Sequence, residues 1–213
     1  MKILMLTSSL RSGGAETHIC ELARTLAARG HSVFVASSGG EMADALQNRR
    51  VAHIRLPLDS KSPLRMLLSA ARLKGIIKKE RFDVVHLHSR TAAFVFRLSM
   101  LGESAPPAVS TVHAHFRAGA LLKRLSFWGS AAIAVSDDLK YYLAEKYSFP
   151  QENVTVIQNA IDTDVFAPAE NKREGGAPRI IFVSRLDTDC SLGALLLCRT
   201  AERLARRYDR RTI

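Results

Sequence analysis

Cysteine is scarce in this chain, and the three present, Cys20, Cys190 and Cys198, show no paired or metal-type spacing. That excludes a disulfide framework and a cysteine-based zinc site, and free thiols of a reducing compartment are expected. No apolar run approaches the ~18–20 residues that cross a bilayer. The opening run, residues 1–7, is too short for a signal segment and leads straight into a glycine loop, so it reads as a strand and points to a cytoplasmic chain. In that compartment the Asn153-Val154-Thr155 sequon is chance. Aromatic residues make up only 7% of the chain. They are not interleaved with basic residues, and no nucleic-acid module is present, so no nucleic-acid partner is expected. Acidic residues are outnumbered by basic ones, 20 to 31, giving a net charge of +11. A phosphorylated substrate or an anionic membrane surface would each suit that balance.

Apolar residues are plentiful at 47%, enough for a sizeable core in a chain of 213 residues. Their pattern alternates strand and helix. Residues 2–7 form a continuous apolar run, as in a strand buried on both faces. Ile19, Leu22, Ala23 and Leu26 then recur at helical spacing, and Gly30 closes that helix. Further strands are read at 32–36, 51–56, 82–87, 108–113, 131–135 and 154–157. Helices are read at 41–49, 64–80, 91–101, 121–128 and 137–146, the last with Ser136 as N-cap. Repeated alternation predicts a doubly wound, Rossmann-like parallel sheet covered by helices on both faces. Residues 1–167 are expected to form this first domain. The polar, Pro/Gly-punctuated stretch 168–178 reads as a linker. Residues 179–213 read as a strand at 179–184 and a helix at 191–208, the start of a second domain that is expected to be truncated.

Ligands of such sheets bind at the carboxyl ends of the strands, and that is where the unusual residues concentrate. Gly13 and Gly14 stand between the first strand and first helix, where a missing side chain and a helix N-terminus favour close approach of an anionic group. His86 and His88 close one strand, and a spacing of two puts both imidazoles on one face. His113 and His115 close another. Two such pairs also suggest metal ligands, but no neighbouring carboxylate completes a set, and no metal is expected. Asn159 follows the last strand of the first domain. Arg185, at the end of the strand after the linker, is suited to grip a diphosphate through both arms of its guanidinium.

Taken in order, Gly13-Gly14-Ala15-Glu16, the pair His86 and His88, Thr111-Val112-His113, Val135-Ser136-Asp137-Asp138-Leu139, Asn159-Ala160-Ile161-Asp162 and Ser184-Arg185-Leu186 resemble the family 4 glycosyltransferases of the GT-B fold. The resemblance implies transfer of a sugar from a nucleotide-sugar donor to a glycan or lipid-linked acceptor, with retention of anomeric configuration. It implies an acceptor-side first domain and a donor-side second domain. It implies roles for His113 near the reacting sugar, and for Gly13, Gly14, Glu16, His88, Ser136, Asn159 and Arg185 in binding. No cofactor is implied, because the nucleotide-sugar is a substrate. Two departures stand out. Cys190 replaces the lysine expected five residues after Arg185, and no pair of glutamates carries the family's spacing of seven intervening residues. Both weaken the donor side, so the chain is expected to be an incomplete transferase; the alternative is a non-catalytic fragment that binds acceptor or membrane. An epimerase-type Rossmann protein is disfavoured, because the G-x-G-x-x-G fingerprint is absent. The basic helix 64–80 and the segment 117–128 are candidates for peripheral contact with an anionic membrane.

Overall fold

The computed structural model describes residues 1–47, 51–116, 119, 123, 125–168, 181–183 and 191–208. The chain divides into two compact units, residues 1–161 and 162–213. In the first unit the elements run β1 (Lys2–Leu6), α1 (Gly14–Ala28), β2 (Ser32–Ser37), α2 (Ala43–Gln47), β3 (Ala52–Arg55), α3 (Pro63–Glu80) and β4 (Val84–Leu87). They continue with α4 (Arg90–Ser99), β5 (Ala108–Val112), β6 (Ala131–Ala134), α5 (Asp137–Tyr147) and β7 (Val154–Val156). The sheet is seven-stranded in the order β3-β2-β1-β4-β5-β6-β7, and every pairing is parallel.

This is the expected Rossmann-like α/β architecture. The chain winds outward from β1 through β2 to β3, then returns to lay β4 on the other side of β1. The reversal makes the carboxyl ends of β1 and β4 a topological switch point, the crevice where such sheets take their ligands. Strand alternation divides the apolar residues between two faces. Leu4, Leu6, Val85 and Leu87 pack under α3 and α4 with Leu73, Ile77 and Phe96. Ile3, Met5, Val33 and Val35 pack under α1 and α2 with Ile19, Ala23 and Leu46. A third cluster joins β6 and β7 to α5 through Trp128, Leu139 and Leu143.

Helix ends follow the local chemistry. Gly30, at φ +85°, takes the left-handed position past the end of α1. Ser136 caps α5, its Oγ accepting from the Leu139 N–H at 3.3 Å. Ser89 caps α4 in the same way from Ala92.

Helix α3 buries the face carrying Ser69, Ala70, Leu73 and Ile77 and leaves Leu67 and Leu68 exposed. One reading needs revision. The helix expected over 121–128 falls partly outside the described residues, and residues 126–128 are not helical. Trp128 is buried against Phe116 and Tyr147, so it belongs to the core and not to a surface for lipid. Of the strand expected over 179–184, residues 179, 180 and 184 lie outside the described residues, and residues 181–183 are exposed and not in a strand. Helix α6 (Ser191–Tyr208) is present. Residues 169–178 of the expected linker, together with Arg185 and Cys190, lie outside the described residues.

Candidate functional site

The β1–α1 connection passes through the switch point and is held from two sides. Towards α2, Leu10 N–H donates to Gly39 O at 2.9 Å, and Met42 N–H donates to Leu10 O at 3.0 Å. Ser38 adds its own N–H and its hydroxyl to Ser8 O. Towards α4, Ser8 Oγ and Thr91 Oγ1 share a hydrogen bond of 2.8 Å. Gly40 makes the first set of contacts possible: at φ +142° it lies against the Leu10 carbonyl, where any Cβ would overlap backbone. Neither Gly39 nor Gly40 was identified from the sequence, because their need arises from a loop thirty residues away.

Gly13 and Gly14 differ from one another. The Glu16 carboxylate folds over Gly13, so that a Cβ there would overlap it, while a Cβ on Gly14 would meet nothing. The space at Gly14 is therefore open, and Glu16 is the one acid in the first turn of α1.

Beside this loop four imidazoles converge. His86 and His88 share one face at the end of β4, with ring centroids 4.1 Å apart. His88 and His113 are stacked at 5.6 Å, and His88 Nδ1 lies 3.2 Å from His113 Nε2. His18, from α1, stands edge-on to His113 at 5.1 Å. His86 Nε2 is bound to Thr111 Oγ1 at 2.7 Å. Burial is the main influence on all four rings. It lowers His18, brings His86 and His113 to about 4, and pushes His88 well below the ordinary imidazole value, with mutual repulsion adding to the effect for the last three. The rings are therefore neutral at neutral pH and act as hydrogen-bonding groups, not as cations. Among the described residues no set of three or more His, Cys, Asp or Glu is placed to hold a metal ion.

The sequence pairs do not stay together. His113 joins the buried cluster, whereas His115 points outward and meets Asp138 at 3.0 Å. Ser136 caps α5, and Asn159 is exposed at the end of the first unit. His18 and Thr111 complete the cluster and escaped assignment as site residues. His18 lies one turn before the partly buried Leu22 and next to the buried Ile19, and only the packing of α1 over the strand ends brings it to His113.

Comparison with known proteins decides the family. Residues 12–165 match the family model described as Glycosyltransferase Family 4. The chain belongs to glycosyltransferase family 4. A glycosyltransferase from Rickettsia africae superposes with a TM-score of 0.68 at 28% identity, over 81% of this chain and 46% of that one. The Anabaena HepE protein, solved in complex with UDP-glucose, gives 0.61 at 19% identity, over 80% of this chain and 47% of that one. The UDP-GlcNAc 2-epimerase from Neisseria meningitidis, bound to UDP-GlcNAc, gives 0.53 at 16% identity, over 73% and 45%. The last two show a shared fold and no more. The family 4 chain thus spans just under half the length of these structures. No curated protein matches its sequence.

Tyr142 and Lys146 stand four residues apart, the spacing of a Tyr-x-x-x-Lys couple. Tyr142 is not free for chemistry: its hydroxyl accepts from Phe116 N–H at 2.9 Å and donates to Phe116 O at 2.5 Å. It pins the segment that follows His113.

Proposed function

We propose that this chain supplies the acceptor-side half of a retaining glycosyltransferase that moves a sugar from a nucleotide-sugar to a glycan or lipid-linked acceptor. The observation that carries this reading is the meeting of His113 with His18 and His88 beside the open glycine loop at the switch point. A neutral His113 ring offers a hydrogen bond at the reacting sugar without placing a positive charge where an oxocarbenium-like centre develops. Gly13 and Gly14 would admit the donor's phosphates, with Glu16 turning away to release the helix N-terminus. Asn159 and Arg185 would serve the donor side, where Cys190 in place of a lysine removes one charge-assisted contact to the leaving diphosphate. The nucleotide-sugar is consumed as a substrate, and the reading calls for no resident cofactor or metal.

Helix α3 supports peripheral attachment to an anionic membrane. Leu64, Leu67 and Leu68 form an exposed apolar stripe at helical spacing, and the exposed Arg65 and Arg72 lie beside it. A stripe of this kind enters the headgroup region while its cations meet lipid phosphates. Among the described residues no helix is long and apolar enough to cross a membrane.

Calorimetric titration of the 213-residue chain with UDP, GDP and ADP tests the division of labour. Weak or undetectable binding is expected, because the chain's donor-side contacts are few. Micromolar affinity would overturn it. In a longer protein that turns over a nucleotide-sugar, His113→Ala should lower kcat by roughly a hundredfold or more; an unchanged kcat would remove His113 from the chemistry.

A further inference from the structure

Four buried polar atoms, on the residues just past β4, in the middle of β5 and just before β6, have no hydrogen-bond partner among the described residues: His88 Nε2, Arg90 Nε, Ser110 Oγ and Trp128 Nε1. A buried polar atom left unpaired is unfavourable, so four in one neighbourhood call for an occupant that hydrogen-bonds to them. They are not scattered. All four residues line a single small pocket, walled on one side by Phe116. His88, Ser110 and Trp128 are each more than nine-tenths buried, at 6%, 3% and 8% exposure.

Three features define what fits. The space admits about one water-sized group. Arg90, Trp128 and Ser110 offer donors, and no acidic side chain is among the residues that line the pocket. The Arg90 guanidinium, 5.5 Å from the Phe116 ring centre, supplies the charge, and the N-terminus of α4 adds its positive end. A single oxygen atom meets the first two conditions, and the Arg90 charge with the α4 N-terminus favours one that bears negative charge.

The geometry points to an oxyanion pocket that takes one oxygen of a phosphoryl or carboxylate group on the acceptor substrate. The word acceptor rests on the sugar-transfer reading; the affinity for an oxyanion does not. The pocket also reaches the histidine cluster. An oxygen bound at His88 Nε2 requires a proton on that nitrogen. His88 Nδ1 must then accept from His113 Nε2–H across their 3.2 Å contact. His113 is left with its proton on Nε2 and a bare Nδ1. Occupation of the pocket thus selects one tautomer of both rings, and makes the state of His113 depend on the presence of the charged group.

Trp128 is the protein's single tryptophan, so its indole N–H and its emission report on this pocket alone. The 213-residue chain is titrated at pH 7 and constant ionic strength with methyl phosphate, acetate and, as a reference, chloride. A saturable downfield shift of the indole proton is expected with methyl phosphate or acetate and not with chloride. Nitrogen-15 imidazole spectra should show His88 and His113 both protonated at Nε2 in the saturated state. Arg90→Gln should weaken binding by about tenfold or more, the loss of a charge-assisted hydrogen bond, while Arg81→Gln leaves it unchanged. Ser110→Ala, a smaller change, should weaken it a few-fold and serves if Arg90→Gln loses its near-ultraviolet dichroism. Vesicles containing phosphatidate separate the sources: a tryptophan response to vesicles but not to methyl phosphate assigns the oxygen to a lipid headgroup, and the reverse assigns it to a soluble ester. No saturable response to any of these probes, or equal binding by wild type and both pocket variants, overturns the proposal. A longer protein that fails to transfer sugar leaves these titrations unaffected, so the two readings fail separately.

Discussion

His86 Nε2 and Thr111 Oγ1 meet at 2.7 Å between neighbouring strands, and both residues are buried. Their bond seats the first of four stacked or edge-on imidazoles, and so the geometry of His88 and His113 rests on it. Thr111→Val keeps the shape and removes the partner. It should lower unfolding free energy by about 1–3 kcal/mol, the cost of a buried unsatisfied nitrogen, and Thr111→Ser should restore most of it. Urea denaturation compares the three; equal stability of the valine variant would show that the bond contributes nothing.

The same cluster makes stability depend on pH. Unfolding returns the imidazoles to their ordinary value of 6.5, while folding holds His86 and His113 at about 4 and His88 well below 6.5. The unfolded chain therefore binds more protons between about pH 4 and 6.5. Stability is complete above 6.5 and is lost as the pH falls from there, at up to about 1.4 kcal/mol per pH unit for each fully buried ring. Urea midpoints at pH 7.5, 6 and 5 should fall in that order. A midpoint that held steady down to pH 5 would mean the rings are not buried neutral.

The glycines separate folding from binding. Gly40→Ala places a Cβ into the Leu10 carbonyl at φ +142°, and Gly129→Ala places one into the Ala108 carbonyl at φ +79°. Both should lower the thermal midpoint by several degrees, the effect of roughly 1–3 kcal/mol of strain in a domain of this size. Gly14→Ala meets no atom and should leave the midpoint unchanged or raise it, since alanine favours a helix by about 1 kcal/mol over glycine. Loss of nucleotide-sugar turnover in a stable Gly14→Ala protein would locate close substrate approach there; a destabilised Gly14→Ala would contradict the open space.

Helix α3 offers a paired test. Leu73 is fully buried, and Leu73→Ala should cost about 2–5 kcal/mol without a specific effect on lipid. Leu67→Ser with Leu68→Ser should leave stability nearly unchanged and reduce co-sedimentation with anionic vesicles at low salt. Vesicle binding that survives the double substitution would remove α3 from the membrane contact.

Much of this was legible before the fold was seen. Alternating strand and helix periods predicted the parallel sheet, Ser136 was recognisable as a helix cap, and a spacing of two put His86 and His88 on one face, because each of these depends on neighbours within a few residues. The parting of His113 from His115 was not legible, since the strand ends before both, the alternation of an extended chain no longer holds, and His115 meets Asp138 on α5. Nor was the arrival of His18 at His113, the prop of Thr111 under His86, the two faces of α3, or the gathering of Arg90, Ser110 and Trp128 around His88. Those follow from which segments the sheet order lays side by side. The sequence by itself determined the elements, the family motifs and the end of the sheet where chemistry gathers. Only the tertiary structure decided which of the chemically able residues share one pocket, because contact between residues far apart in the chain is set by packing and strand order, not by local spacing.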